Sequence, residues 1–277
     1  MNTILEHYLK LWELTTPEWL AKTFTSNIYK AQASNETIVL KILSGKGAED
    51  ESSAADVLTW FDGQGAIRLL QHDAGAMLLE YVKGDDLTEL VRTGKDDEAT
   101  QIIAGVLNQL HSAKDAQLPR GLTPLPRRFQ SLFAAASLGS APPILGRGAV
   151  TTRSLFSDEN QSFVLHGDIH HENIRHHQER GWLAIDPKGL WGDRIYDAAN
   201  ALCNPLSMPE IAQSRDRLLR QAGIMADALE VNCDRLLSYA FAHACLSASW
   251  CIEDGHDPGH FLAMAEIAER SIKPQPV

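Results

Sequence analysis

The chain has 277 residues, with 25 Lys and Arg against 36 Asp and Glu, a formal charge of −11. Its 44% hydrophobic and 22% charged residues are those of an ordinary globular protein with a sizeable core, which excludes a disordered, collagenous or coiled-coil chain. The acidic balance argues against nucleic acid or an anionic membrane as partner and suits a cationic small molecule.

Cys203, Cys233, Cys245 and Cys251 show no Cys-x-x-Cys spacing and read as buried thiols of a reducing compartment. The opening MNTILEHYLKLWEL carries acids and lacks the basic start and apolar core of a signal peptide. No apolar run approaches the roughly 20 residues of a membrane helix. The expected location is the cytoplasm.

In chain order, residues 27–33 and 37–43 are β-prone runs around Ser34, Asn35 and Glu36, a hairpin signal. In the second run Ile38, Leu40 and Ile42 share one face, and Val39, Lys41 and Leu43 the other. A lysine there is either an edge charge facing water or a cation aimed into a cleft. Residues 48–60 predict a helix with Glu51 in its first turn, and strands follow at 66–70 and 76–82 before Gly84 breaks the pattern. The remainder reads mainly as helix: 97–111, a capping box at 207–210 opening a helix to 222, 234–252 and 258–271. The composition therefore divides near 82–84, giving a β-rich lobe over 1–82 and a larger helical lobe over 83–277.

Between the helical segments, an apolar strand leads into His166, Gly167 and Asp168, with Asn173 five residues after the aspartate. A hairpin turning near Glu179, Arg180 and Gly181 then returns the chain to Ile185, Asp186 and Pro187. Three oxygen-bearing side chains thereby converge. Asp and Asn oxygens are hard donors suited to Mg²⁺ and substrate phosphates, and a carboxylate left off the metal can take a proton from a hydroxyl. His166, His170, His171, His176 and His177 are dense enough to raise the question of zinc, but no Cys or carboxylate with zinc spacing accompanies them.

His-x-Asp-x4-Asn followed by a strand and Asp resembles the catalytic and metal loops of protein kinases. With His-Gly-Asp and Ile-Asp-Pro in place of His-Arg-Asp and Asp-Phe-Gly, it is more similar to the aminoglycoside phosphotransferases. Within that group it resembles the streptomycin 6-phosphotransferase or aminoglycoside/hydroxyurea resistance kinase branch. Further residues carry the likeness: Gly63 to Leu70, Met77 to Tyr81, Gly181 to Pro187 and Cys245 to Trp250.

The resemblance implies an α+β, bilobal protein-kinase-like fold that uses ATP and Mg²⁺. It implies Asp168 as catalytic base with His166 orienting its loop, and Asn173 and Asp186 as metal ligands. Lys41, fixed by Glu51, would hold the phosphates; Ser26 would help to cover them in place of an absent glycine-rich loop; and the backbone around Glu80 and Val82 would dock adenine. Asp197 would brace the catalytic loop.

The implied reaction is phosphorylation of an aminoglycoside hydroxyl, of streptomycin type at position 6. The alternatives are a kinase of another hydroxylated amine or sugar metabolite, and a catalytically inactive nucleotide-binding protein. Asp193, Glu253, Asp254 and Asp257 are the acids expected to face a cationic substrate.

Overall fold

The computed structural model describes residues 3–23, 25–44, 52–112, 117–158 and 161–273; Glu51 and the expected start of its helix lie outside the described residues. The N-terminal part is an antiparallel five-stranded sheet in the order β1-β2-β3-β5-β4. Its strands are β1 (Leu14–Lys22), β2 (Ser26–Ala33), β3 (Glu36–Leu43), β4 (Leu69–His72) and β5 (Ala76–Glu80). β2 and β3 form the predicted hairpin, with Ala33 opposite Glu36 and Ser34 at φ +53° in the turn.

Alternation along β3 sorts its side chains. Ile38, Leu40 and Ile42 are buried with Tyr8 and Trp12 of the N-terminal helix α1 (Thr3–Leu11) and the turn after it. The Tyr8 hydroxyl donates to Asp73 Oδ1 at 2.9 Å and pins that helix to the turn before β5. Val39 and Lys41 consequently face the other side, where helix α2 (Ser52–Phe61) and the cleft lie.

The C-terminal part is mainly helical. Helices α3 (Thr88–Arg92) and α4 (Asp96–Leu110) come first, then α5 (Leu125–Arg128), α6 (Gln130–Ala136) and α7 (Pro143–Ser157). After the catalytic segment come α8 (Ile195–Leu202), α9 (Pro209–Ala212), α10 (Arg215–Leu229), α11 (Cys233–Glu253) and α12 (Gly259–Glu269). α11 is buried along most of its length from Leu236 to Ser249 and packs against α6, α7, α8 and α12. Among the described residues no helix is long and apolar enough to cross a membrane.

One predicted helix is corrected. The stretch from 207 to 222 breaks after Ala212, and Ser214 caps a new helix by accepting from the Arg217 amide. Met208, not Ser207, precedes α9, and no side-chain cap forms there. A buried ion pair sets the new direction. Arg217 grips Asp96 of α4 through two N–H groups at 2.7 and 2.8 Å and donates a third to the Asn204 carbonyl at 3.0 Å.

The chain crosses from sheet to helices beside a two-stranded hairpin, β8 (Ile174–His177) and β9 (Gly181–Ala184). Gly65 and Ile67 exchange backbone hydrogen bonds with Ala184 at 2.8 and 3.0 Å. Gly84 lies so close to β8 that a Cβ there would stand 2.1 Å from the His176 carbonyl oxygen. Gly84→Ala must therefore push the two segments apart, and we expect a loss of about 1–3 kcal/mol, as overpacking typically costs. Thermal unfolding measures it; a variant that melts with its parent shows that the crossing is not held this tightly.

Candidate active site

The site begins where β7 (Phe163–Leu165) ends. Gly167 has φ +84°, and a Cβ on it would lie 2.6 Å from Leu190 Cγ, so both the left-handed backbone and the close approach require glycine. Asp197, buried in the first turn of α8, accepts from the His166 amide at 2.9 Å, the Gly167 amide at 2.6 Å and His111 Nε2 at 2.9 Å. This is the expected brace.

His166 is fully buried. Its Nδ1 accepts from the Asp168 amide at 3.3 Å and its Nε2 donates to the Ile185 carbonyl at 2.9 Å. Burial pushes its pKa down, against the pull of Asp197, Asp168 and Asp186, and the two bonds demand the neutral ring. His166 thus joins the catalytic loop to the metal loop and is a positioning residue.

The Asp168 carboxylate is held from both sides. Asn200 Nδ2 donates to Oδ1 at 3.0 Å, and Asn173 Nδ2 reaches Oδ2 at 3.3 Å and the Asp168 carbonyl at 3.0 Å. Asn200 is itself fixed, its Oδ1 accepting from Asn204 Nδ2 at 3.0 Å. Asn200 was not singled out from the sequence. Its signal is its place on α8 three residues after Asp197, on the same helix face.

Asp186 lies in the turn between β9 and β10 (Leu190–Gly192), with φ +60°, a conformation Asp tolerates better than most residues. Lys41 Nζ is 2.5 Å from its Oδ1 and Lys188 Nζ is 2.7 Å from its Oδ2. Burial works to raise its pKa, but the charges and hydrogen bonds of Lys188 and Lys41 overcome this and hold the carboxyl far below the usual range. An ionised carboxylate beside the Asn173 amide is a hard-oxygen donor set, the kind that fits Mg²⁺ shared with phosphates.

Between the sheet and this loop lies a cleft of about 480 Å³, lined by Ile28, Val39, Met77, Leu79 and Val82 on its apolar walls and by Lys41, Asn173 and Asp186 at its polar end. Glu80 and Val82 border it as expected. The Glu80 carboxylate does not face a ligand. It accepts from Arg180 Nη1 at 2.5 and 2.6 Å and from the Arg68 amide at 2.9 Å, while Arg180 also holds the Ala66 carbonyl at 3.0 Å. Arg180 sits in the β8–β9 turn, a contact invisible in the sequence because 100 residues separate the partners. Ser26 is corrected: its amide donates to Thr23 Oγ1 at 3.0 Å, its buried hydroxyl bonds the same oxygen at 2.8 Å, and Thr23 is the one that lines the cleft.

Asp168 also opens onto a second depression of about 230 Å³, walled by Arg128, His170, His243, Trp250 and Asp254. Arg128 lies over the Trp250 ring at 4.3 Å. His243 is neutral, because burial and then Arg128 push its pKa down to about 3.

Of the four acids expected here, only Asp254 lines the depression. Glu253 is exposed outside it, and Asp257 accepts from the Gly259 amide at 2.9 Å at the start of α12. Asp193 is committed to Arg235, at 2.8 and 3.0 Å, and to the Ile195 amide at 3.0 Å.

The fold and this site together define a kinase that acts on small molecules. The family model for aminoglycoside/hydroxyurea antibiotic resistance kinases matches residues 11–255, and the chain belongs to that family of phosphotransferases, whose acceptors are hydroxyl groups. It is 37% identical to streptomycin 3''-kinase of Klebsiella pneumoniae, over 89% of this chain and 92% of the relative. It is 32% identical to streptomycin 6-kinase of Streptomyces griseus, over 75% and 69%. Among solved structures, aminoglycoside phosphotransferase APH(4)-Ia with ADP and hygromycin B superposes with a TM-score of 0.68 at 12% identity, covering 98% of both chains. Choline kinase LicA from Streptococcus pneumoniae gives 0.66 at 17%, covering 98% and 97%. These two show the shared kinase-like fold.

Because Asn200 fixes the Asp168 carboxylate, Asn200→Ala is expected to lower kcat about 10–100-fold while the KM for nucleotide moves little. Steady-state kinetics in both substrates checks this; an unchanged kcat makes the bond incidental.

Proposed function

We propose that this chain transfers the γ-phosphoryl group of ATP to a hydroxyl of a streptomycin-type aminoglycoside, conferring resistance on its host. The observation that carries the reading is that Asp168, on the wall of the second depression, is bonded at 3.3 Å by Asn173, which lines the first cleft together with Lys41 and Asp186. The nucleotide base fits the apolar walls of the first, with its edge toward the backbone of Glu80 and Val82, and Lys41 meets the phosphates. Asp168 accepts the proton of the acceptor hydroxyl as its oxygen bonds to phosphorus, and ADP leaves with the electron pair of the broken bond. Mg²⁺, held by Asp186 and Asn173, would neutralise charge on the phosphates. The division of labour falls near residue 82, the enzyme works in the cytoplasm, and nucleic acid and membranes are not its partners.

Position 6 of streptomycin is the expected acceptor. Position 3'' is the second reading, favoured by the 37% identity to a 3''-kinase. Incubation with ATP, Mg²⁺ and streptomycin, with ADP release and the phosphorus-to-proton couplings of the product read together, assigns the hydroxyl. Absence of turnover with every aminoglycoside, together with turnover of another hydroxylated amine, overturns the antibiotic reading.

Two variants test the roles. Asp168→Ala should lower kcat by about 10²–10⁴-fold with nucleotide affinity retained, the usual worth of a general base. A variant that keeps more than about a tenth of kcat removes Asp168 from that role. Asp254→Lys should raise the KM for streptomycin and Glu253→Lys should not, since only Asp254 lines the acceptor wall. Equal effects of the two would mean that general charge, screened over about 8–10 Å, is what matters.

A further inference from the structure

Lys188 has no place in the reaction described above, yet it is a cation close to both Asp186 and Asp168. Its Nζ lies 2.7 Å from Asp186 Oδ2 and 3.9 Å from Asp168 Oδ2. It therefore stands between the carboxylate at the phosphate end and the carboxylate that meets the acceptor. The transferring group must pass through that space.

Its main chain is locked. The Lys188 amide donates to the His166 carbonyl at 2.7 Å, and its own carbonyl accepts from Ser53 Oγ of α2 at 3.0 Å. Only the side chain can move, on a flexible four-carbon stem.

Asp186 as it stands has a lysine on each oxygen. Each oxygen keeps a second lone pair for a metal ion, but two ammonium groups beside the carboxylate repel a divalent cation, so binding one favours moving a lysine away. Lys41 is enclosed on β3 with 6% of its side chain exposed, whereas Lys188 has 28% exposed. The geometry points to Lys188 as the one that yields. We propose that Lys188 is a catalytic residue of the transfer, its ammonium leaving Asp186 to bind the oxygens of the γ-phosphoryl group as that group passes to the acceptor.

The step balances without it as an acid. The acceptor oxygen forms the new bond to phosphorus, the bond from phosphorus to the β–γ bridging oxygen breaks, and the acceptor's proton goes to Asp168. Lys188 keeps all its protons and supplies fixed positive charge where the equatorial oxygens carry theirs. This assignment rests on the phosphoryl-transfer reading of the site.

The test compares Lys188→Met and Lys188→Arg with the parent, in the full chain. Calorimetric titration with ADP and with the non-hydrolysable analogue AMP-PNP, each with Mg²⁺, separates contact with the third phosphate from any general effect on the cleft. Lys188→Met should bind AMP-PNP about tenfold more weakly and ADP within about twofold of the parent, and its kcat should fall about 10²–10³-fold, as loss of one transition-state donor typically does. Lys188→Arg, which keeps the charge, should recover part of both losses.

Equal weakening of ADP and AMP-PNP, or an unchanged kcat in Lys188→Met, overturns the assignment and leaves Lys188 a counter-ion of Asp186. If the parent itself turns over no acceptor, the phosphoryl-transfer reading is what fails, and the comparison of the two nucleotides still judges Lys188.

Discussion

The contact on which the site depends is the ion pair that crosses the cleft from Lys41 to Asp186. Lys41 belongs to the sheet and Asp186 to the loop after β9, so one bond ties the two halves together at the point where phosphates would lie. Burial makes a lone charge there very costly, and a pair offsets that cost only with good geometry and further partners. Lys188 on the other carboxylate oxygen supplies one. With Asp168 Oδ2 also 3.9 Å from Lys188, two lysines face two carboxylates, so the charges here are matched before any ligand arrives. A nucleotide phosphate arriving with its metal therefore redistributes contacts that already exist.

The catalytic loop is made rigid by a different device. Asp197 collects two consecutive loop amides and a histidine, His166 spans to the Ile185 carbonyl, and Asn204 and Asn200 form a chain of amide donors ending on the Asp168 carboxylate. Each member has its partners satisfied, the condition under which a buried polar network specifies a single arrangement. The Arg217–Asp96 pair extends the same logic outward: Arg217 also holds the Asn204 carbonyl, so the packing of α10 on α4 reaches the Asp168 carboxylate through two asparagines. The depth of this support explains how a carboxylate on a loop can be aimed as firmly as one on a helix.

Much of this was legible in the sequence where local rules govern. Period-two alternation put Lys41 on the cleft face of β3, and the hairpin around Arg180 brought Asp186 back beside Asn173 through the pairing of Ile174 with Ala184. What was not legible depends on long-range partners. The bond of the Glu80 carboxylate to Arg180 could not be read, though Glu80 does border the cleft; Asp193 reads as a substrate acid, but it neutralises Arg235. Ser26 reads as a residue whose amide could cover phosphates until that amide is seen to donate to Thr23 Oγ1. The helix from 207 failed for a local reason: Ser214 offers a second cap that competes with Ser207, and the grip of Arg217 on Asp96 decides between them.

The acidic composition points to a cationic partner, and the structure qualifies how that charge can act. Exposed acids such as Glu253 are spread over the surface, while the acceptor wall combines Asp254 with Arg128, Trp250 and a neutral His243. Net charge can raise the encounter rate of a cation, but beyond about 8–10 Å it is screened and carries no information on which hydroxyl reaches Asp168. That choice belongs to shape and to short-range partners. Arg128, stacked on Trp250, would repel a cationic substituent and Asp254, which lines the same depression, would attract one. On the proposed reading, a cationic ring system entering the depression would be oriented by the separation of these two charges, and the hydroxyl brought to Asp168 would follow from that orientation, not from the overall charge of −11.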